Sequence, residues 1–141
     1  MTAMISFRSM VDPTDCDFLG HMNVSRYFSA CSDGVFAIQC EMGLTAKDMR
    51  HGRRLSFAVV HAESDFKAEL SAGDAIRLET SVTKIGTKSI TFRHSLIRSE
   101  DDAVAFESEF KCVMLDLVTR KAAKIPDDVR EKAAAWLISK S

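Results

Sequence analysis

The segment Thr14 to Tyr27, T-D-C-D-F-L-G-H-M-N-V-S-R-Y, gathers Asp15, Asp17, His21 and Asn23 in one short stretch. Immediately after it, the apolar residues take up a helical period. A helix start carries unpaired N–H groups and about half a positive charge. Such a terminus holds an anion, or polarises a carbonyl whose oxygen becomes negative as it is attacked. A carboxylate beside it can act as a base or a nucleophile. Together these features point to acyl chemistry. The same residue types most often make caps and turns, so composition alone also allows a plain loop with an ordinary histidine.

The elements that must position this stretch follow from the patterning. Residues 4–11 read as a strand, and residues 12–22 as an irregular loop with Pro13 and Gly20. Val24, Tyr27, Phe28, Cys31, Val35, Ile38 and Met42 step by three or four, one face of a long helix over 24–42. Phe36 and Cys40 widen that face, which predicts a largely buried helix. Asn23 suits the N-cap and Gly43 the C-terminal stop. Gly34 is unfavourable inside a helix by about 1 kcal/mol relative to Ala. Its use would be close approach to another backbone. Strands follow at 54–68, 75–85, 88–98 and 103–118. Ile76, Leu78, Thr80 and Val82 share one face, as do Ile90, Phe92, His94 and Leu96. Val104, Phe106, Phe110, Cys112 and Met114 point inward on the last strand. A final short helix begins with Pro126 at N1 and carries Val129, Ala133, Trp136 and Leu137 on its apolar stripe. The order is β-α-β-β-β-β-α, an α+β layer pair in one domain over 1–141. One helix covers only part of a five-stranded sheet, so a second subunit is expected to bury the rest.

The 141 residues include 19 basic and 20 acidic side chains, a net charge of −1. That balance excludes the broad basic field that holds nucleic acid or an anionic membrane. No apolar run approaches the ~20 residues of a membrane helix. The N-terminus lacks the basic and apolar segments of a signal peptide, so a cytoplasmic location is expected. Cys16, Cys31, Cys40 and Cys112 are scattered and read as small buried thiols rather than a disulfide framework or a zinc set. No G-x-S-x-G, G-x-G-x-x-G or P-loop pattern occurs, and neither a metal nor a redox cofactor is expected.

The string D-x-D-x-x-G-H-M-N-x-x-x-Y, here Asp15, Asp17, Gly20, His21, Met22, Asn23 and Tyr27, resembles the signature of 4-hydroxybenzoyl-CoA thioesterase-like members of the hotdog-fold superfamily. V-T-K-I-G-T-K-S-I-T-F-R-H-S at 82–95 looks like that family's third-to-fourth strand hairpin. A-G-D-A-I-R-L at 72–78 looks like its turn into the third strand. The resemblance spans roughly residues 4–120. G-H-M-N and His61 further resemble the subgroup acting on betainyl- or carnitine-related thioesters.

The resemblance implies a five-stranded antiparallel sheet wrapped around one long helix, and hydrolysis of an acyl-CoA to a carboxylate and free CoA. It implies that Asp17 is the catalytic carboxylate, as base or nucleophile. Asp15 would hold the loop, and the thioester oxygen would sit at the helix start near Asn23 and Val24. Gly20 would allow a tight turn or close approach. His21 would orient Asp17, bond the acyl group or fix the loop. Tyr27 would line the pocket or pack in the core, and His61 would approach the site of a partner subunit. Lys84, Lys88 and Arg93 are candidates for the CoA phosphates, with Arg50, Arg53 and Arg54 as a second group. His94 reads as structural. Coenzyme A enters as part of the substrate, and a homodimer or homotetramer is expected. Two alternatives stay open. One is an enoyl-thioester hydratase or dehydratase on the same fold, although the D-x-N-P-x-H arrangement is absent. The other is a non-catalytic acyl-thioester binding module.

Overall fold

The computed structural model describes residues 3–138. Its strands are β1 (Met4–Met10), β2 (Leu55–Phe66), β3 (Ala75–Ile85), β4 (Ser89–Arg98) and β5 (Ala103–Asp116). Its α-helices are α1 (Val24–Glu41), α2 (Ala46–His51) and α3 (Asp127–Ala134). All paired strands are antiparallel, in the order β1-β3-β4-β5-β2. The α+β architecture is the expected one, and the strand bounds fall within a few residues of those read from the alternation.

The alternating residues face inward as predicted except Val104, which is only half-buried because the β4–β5 register shifts between Leu96 and Ile97 and Ala105 is buried instead. Leu78, Thr80 and Val82 on β3, Phe92, His94 and Leu96 on β4, and Phe106, Cys112 and Met114 on β5 are essentially inaccessible. The apolar ones meet Tyr27, Cys31, Val35 and Ile38 of α1, and Met42 directly after it, in one core. Val11, immediately after β1, is also fully buried and fixes the start of the loop.

Gly34 sits where α1 comes closest to the sheet. A Cβ there would lie 2.6 Å from Leu78 Cδ2, 3.0 Å from Ser6 Oγ and 3.1 Å from Thr80 Oγ1. The close approach is therefore to side chains of β1 and β3 rather than to another backbone. Gly43, at φ 91°, stops the helix as expected, because an L side chain resists that conformation.

Several expectations need correction, among them the place of Val24 on the buried face of α1, where it is 55% exposed, and of Trp136 and Leu137 on the last helix, which ends at Ala134. The buried face of α1 is narrower than predicted, since Phe36 is 51% exposed and Cys40 is exposed. Both lie on the side away from the sheet, beside α2. Cys40 thus departs from the buried-thiol reading, and Cys16 is only half-buried, whereas Cys31 and Cys112 are buried. Burial pushes these last two thiols up to about 12. The short helix α2, capped by Thr45 Oγ1 accepting from Asp48 N at 3.2 Å, was not anticipated. Pro126 is the N-cap of α3 rather than its first residue, because its ψ of 147° is extended.

The two sides of the sheet end differently. The outer edge of β3 is covered by β1 and then by the C-terminal segment. Val82 N donates to the Trp136 carbonyl at 2.8 Å, and Ile138 N donates to the Val82 carbonyl at 2.8 Å. On the far side β2, 12 residues long, forms the other edge. Val59 and Val60 in its middle are 47% and 59% exposed.

Candidate active site

The loop between β1 and α1 folds as a tight hairpin. Cys16 and Met22 form a bridge pair, Asp17 N donates to the His21 carbonyl at 3.1 Å, and Gly20 N donates to the Asp17 carbonyl at 3.0 Å. Gly20 takes φ 82°, the left-handed conformation that closes the turn. Buried Met22 anchors the hairpin, and its N–H donates to the Leu70 carbonyl at 2.7 Å. Asp15 ties the base together. Its carbonyl accepts from Asn23 N at 2.8 Å, and its carboxylate accepts from Asp12 N at 3.1 Å and meets Arg26 Nε at 3.2 Å.

This hairpin sets Asp17 against the start of α1. Asp17 Oδ1 accepts from Leu19 N at 2.9 Å, and Oδ2 accepts from Asn23 Nδ2 at 3.0 Å. Asn23 Oδ1 accepts from Ser25 N at 3.0 Å and from Ser25 Oγ at 2.7 Å. The asparagine therefore caps the helix with its oxygen and holds the aspartate with its nitrogen. A carboxylate oxygen has two acceptor directions, so each Asp17 oxygen keeps one for a further donor. Val24, the first helical residue, has an N–H with no acceptor in the helix's own ladder, and its side chain is 55% exposed.

The side chain of His21 meets Glu69, whereas the Asp17 carboxylate is held by Leu19 and Asn23. His21 Nε2 lies 2.9 Å from Glu69 Oε2, which joins the hairpin to the segment after β2. Tyr27 is buried one turn into α1, 5.1 Å in ring-centroid distance from both Phe66 and Phe106. Burial pushes its phenol up, partly offset by a hydrogen bond from the Leu70 backbone, with Glu69 adding to the rise. Tyr27 thus packs as core. Beside Asp17, Phe18 and Leu19 stand clear of the protein, and Phe66 is half-exposed.

Of the remaining candidates, His61, Lys84 and Arg93 lie on the outer face of the sheet, apart from the hairpin. His61 is exposed and lies 3.3 Å from Glu63 Oε1. It shares a shallow hollow of about 240 Å³ with Glu63, Lys84, Thr91, Glu109 and Lys111, a mixed lining of two carboxylates and two lysines. Arg93 instead pairs with Glu107 at 3.1 Å, and Lys67 meets the same carboxylate at 3.4 Å. Lys88 is exposed in the β3–β4 turn. In the second group, Arg53 is held by Asp48 at 2.8 Å and Asp128 at 2.9 Å, bonds that raise its pKa. Arg54 is exposed at φ 57°, and Arg50 lines an apolar hollow with Phe36, Cys40 and Met49. Among the described residues, no three His, Cys, Asp or Glu side chains converge as a metal set. No helix among them is long and apolar enough to cross a membrane.

Sequence reasoning missed the Asn23-to-Asp17 bond, the Leu19 amide, Glu69 and Lys111. The first two follow from loop conformation, which residue types do not fix. Glu69 and Lys111 reach their places through pairing of distant segments.

The family model for the thioesterase-like superfamily matches residues 11–133. The fold is similar to that of a hypothetical protein from Staphylococcus aureus solved in complex with CoA, with 19% identity, a TM-score of 0.88 and coverage of 100% of this chain and 90% of that one. It is also similar to a thioesterase superfamily protein from Jannaschia, with 22% identity, a TM-score of 0.87 and coverage of 97% and 94%. A 1,4-dihydroxy-2-naphthoyl-CoA thioesterase from Synechocystis matches at 17% identity and a TM-score of 0.79, covering 92% and 95%. At these identities the structural likeness establishes the hotdog fold, and the family match stands beside it.

Proposed function

From the membership of this chain in the thioesterase-like superfamily, we propose that it is an acyl-CoA thioesterase with Asp17 as its catalytic carboxylate. The observation that carries the proposal is the double tether of Asp17, by Leu19 N and Asn23 Nδ2, at the start of α1. The carboxylate is held in place, yet each oxygen retains a lone pair. The Val24 N–H supplies a donor for the carbonyl oxygen as it gains charge, aided by the helix dipole. In the hydrolytic route, water adds to the thioester carbon and its proton passes to Asp17. The tetrahedral intermediate then expels the sulfur, and the coenzyme thiolate takes up the proton. In the alternative route Asp17 attacks the thioester carbon and the coenzyme thiolate leaves; water then opens the resulting anhydride to the free acid and the Asp17 carboxylate, and one of the protons released goes to the thiolate. Both routes draw their groups from the chain, the substrate and water.

His21 fixes the hairpin through Glu69 and leaves Asp17 to Asn23. This division favours hydrolysis over the hydratase reading, which would use an Asp–His pair. The CoA complex of the staphylococcal neighbour supports coenzyme A as the carrier. Lys84, Lys88 and Lys111 are the proposed phosphate contacts, with Arg93 engaged by Glu107.

The active unit is proposed to be a pair of chains joined along their β2 edges, with further association into a tetramer. A long edge strand with exposed apolar residues in its middle needs a cover, and a second copy supplies a matching strand.

Replacing Asp17 by Asn keeps the shape and removes the base. Turnover of a responsive acyl-CoA, read as thiol release, should fall by about 10²- to 10⁴-fold with folding unchanged. Near-wild-type turnover in D17N would end the assignment. Tight binding across an acyl-CoA panel without thiol release would favour a binding module instead.

A further inference from the structure

Beneath α1 a row of polar side chains crosses the inner face of the sheet. Ser6 bonds Thr80 at 2.6 Å, while Thr80 with His94, His94 with Ser108, and Ser108 with Ser64 are register partners on neighbouring strands. Each hydroxyl has one proton to give, so the protons can be ordered. Ser6 Oγ donates to the Leu78 carbonyl at 3.3 Å, Thr80 therefore donates to Ser6, and His94 Nδ1–H donates to Thr80 at 2.9 Å. At the other end Ser108 Oγ donates to the Glu63 carbonyl at 3.2 Å, so Ser64 donates to Ser108 at 2.7 Å. This order leaves Ser64 Oγ with lone pairs and no outward proton. His94 Nε2, buried and without a partner, is a bare lone pair in the same row.

Ser64 lies where α1 does not cover the sheet. Its inner-face neighbours on β2, Ala62 and Phe66, are both exposed, Phe66 to 51%. Phe66 packs on Tyr27 and Phe28 in the first turns of α1, directly after Asn23. Phe28 in turn lies against Phe106 and Phe110, which flank Ser108 on β5. An apolar strip therefore leads from the Asp17 end of α1 along β2, with one hydroxyl acceptor in it.

We infer that Ser64 is a specificity-determining residue. The acyl group lies along this strip, and Ser64 Oγ accepts a hydrogen bond from a hydroxyl or amino group carried on the acyl group away from its thioester. This rests on the reading that the thioester carbonyl is held at Asp17 and Val24. An acyl group with one donor pairs Ser64 and keeps its remaining surface on aromatic walls. An unsubstituted analogue displaces water from Ser64 and returns nothing to it, so it binds less well.

The test uses 4-hydroxyphenylacetyl-CoA and phenylacetyl-CoA, with their non-hydrolysable thioether analogues for binding by calorimetry. The full chain should prefer the hydroxylated member by about tenfold, in kcat/KM and in Kd of the analogues. S64A should reduce that preference to within about twofold, mainly by weakening the hydroxylated member, while S64T, which keeps the hydroxyl, should retain it. Equal binding of the two analogues to the wild type, binding of neither, an unchanged ratio in S64A, or an equal loss in S64A and S64T would overturn the proposal. D17N should stop turnover of both substrates but keep the analogue ratio. Full turnover in D17N with an intact ratio would instead fault the Asp17 reading alone.

Discussion

Asn23 performs two tasks with one side chain, and they can be separated. Its oxygen caps α1 through Ser25, and its nitrogen holds Asp17 Oδ2. Serine is a good N-cap but has no amide to reach Asp17. N23S should therefore stay within about 0.5 kcal/mol of the wild type in stability, whereas N23A should lose about 1 kcal/mol. Both should lower kcat by about tenfold with little change in KM, because a loosened carboxylate is misplaced in the transition state rather than in binding. Denaturant melts and steady-state kinetics on the two variants decide the matter. A fully active N23S would reduce Asn23 to a cap. At this scale the sequence was partly legible. Asp17, Asn23 and the turn at Gly20 stand in one contiguous motif, so their neighbourhood could be read directly. The partners of His21 and Arg93 could not, because Glu69 and Glu107 arrive by strand pairing.

The elements were easier to read than the contacts between them. Regular alternation marks β3, β4 and β5 because each has one face in the core and one toward solvent. The helical period of α1 was equally clear, but its width was not. Phe36 and Cys40 are apolar yet lie on the far side, beside a six-residue helix too short to show a period of its own. Gly34 marks in the sequence a point of close approach, and its neighbours are Leu78, Ser6 and Thr80. G34A gains about 1 kcal/mol in helix propensity. It also drives a methyl group to 2.6 Å from Leu78 Cδ2. Leu78 is fully buried, and the two hydroxyls nearby are tied to each other, so α1 itself must shift. Overpacking of this kind costs about 1–3 kcal/mol. Urea unfolding of G34A should show a net loss of about 1 kcal/mol, and a more stable variant would show that α1 can lift from β1 and β3 without cost.

For the whole molecule, two features bear on its stability and on the proposed pairing of chains. His94 is buried on β4, and burial depresses it from an ordinary 6.5 to about 3. Below pH 6.5 the unfolded chain takes up a proton that the folded chain refuses. Stability should therefore be complete above pH 6.5 and fall as the pH drops toward 3, by up to about 5 kcal/mol from this group. H94Q, which cannot titrate, should show a flatter decline over that window whatever its absolute stability, and parallel curves would exclude His94 as the cause. The second feature is the unequal pair of sheet edges. The other edge strand, β1, has 7 residues, and the stretch of β3 beyond it carries the C-terminal segment, while β2 offers 12 residues with Val59 and Val60 exposed in its middle. Pairing two copies there would satisfy edge amides and carbonyls that otherwise face water, and would bury both valines. V60K places a charge in the middle of that contact, a substitution that a solvent-facing edge accepts readily. Light scattering should give a dimer or its multiple for the wild type and a monomer for V60K. The folded monomer should also lose thiol release, because the apolar strip beside Asp17 would lie open to water. A V60K protein that remains dimeric would place the interface elsewhere, and an active monomer would show that one chain encloses its own site.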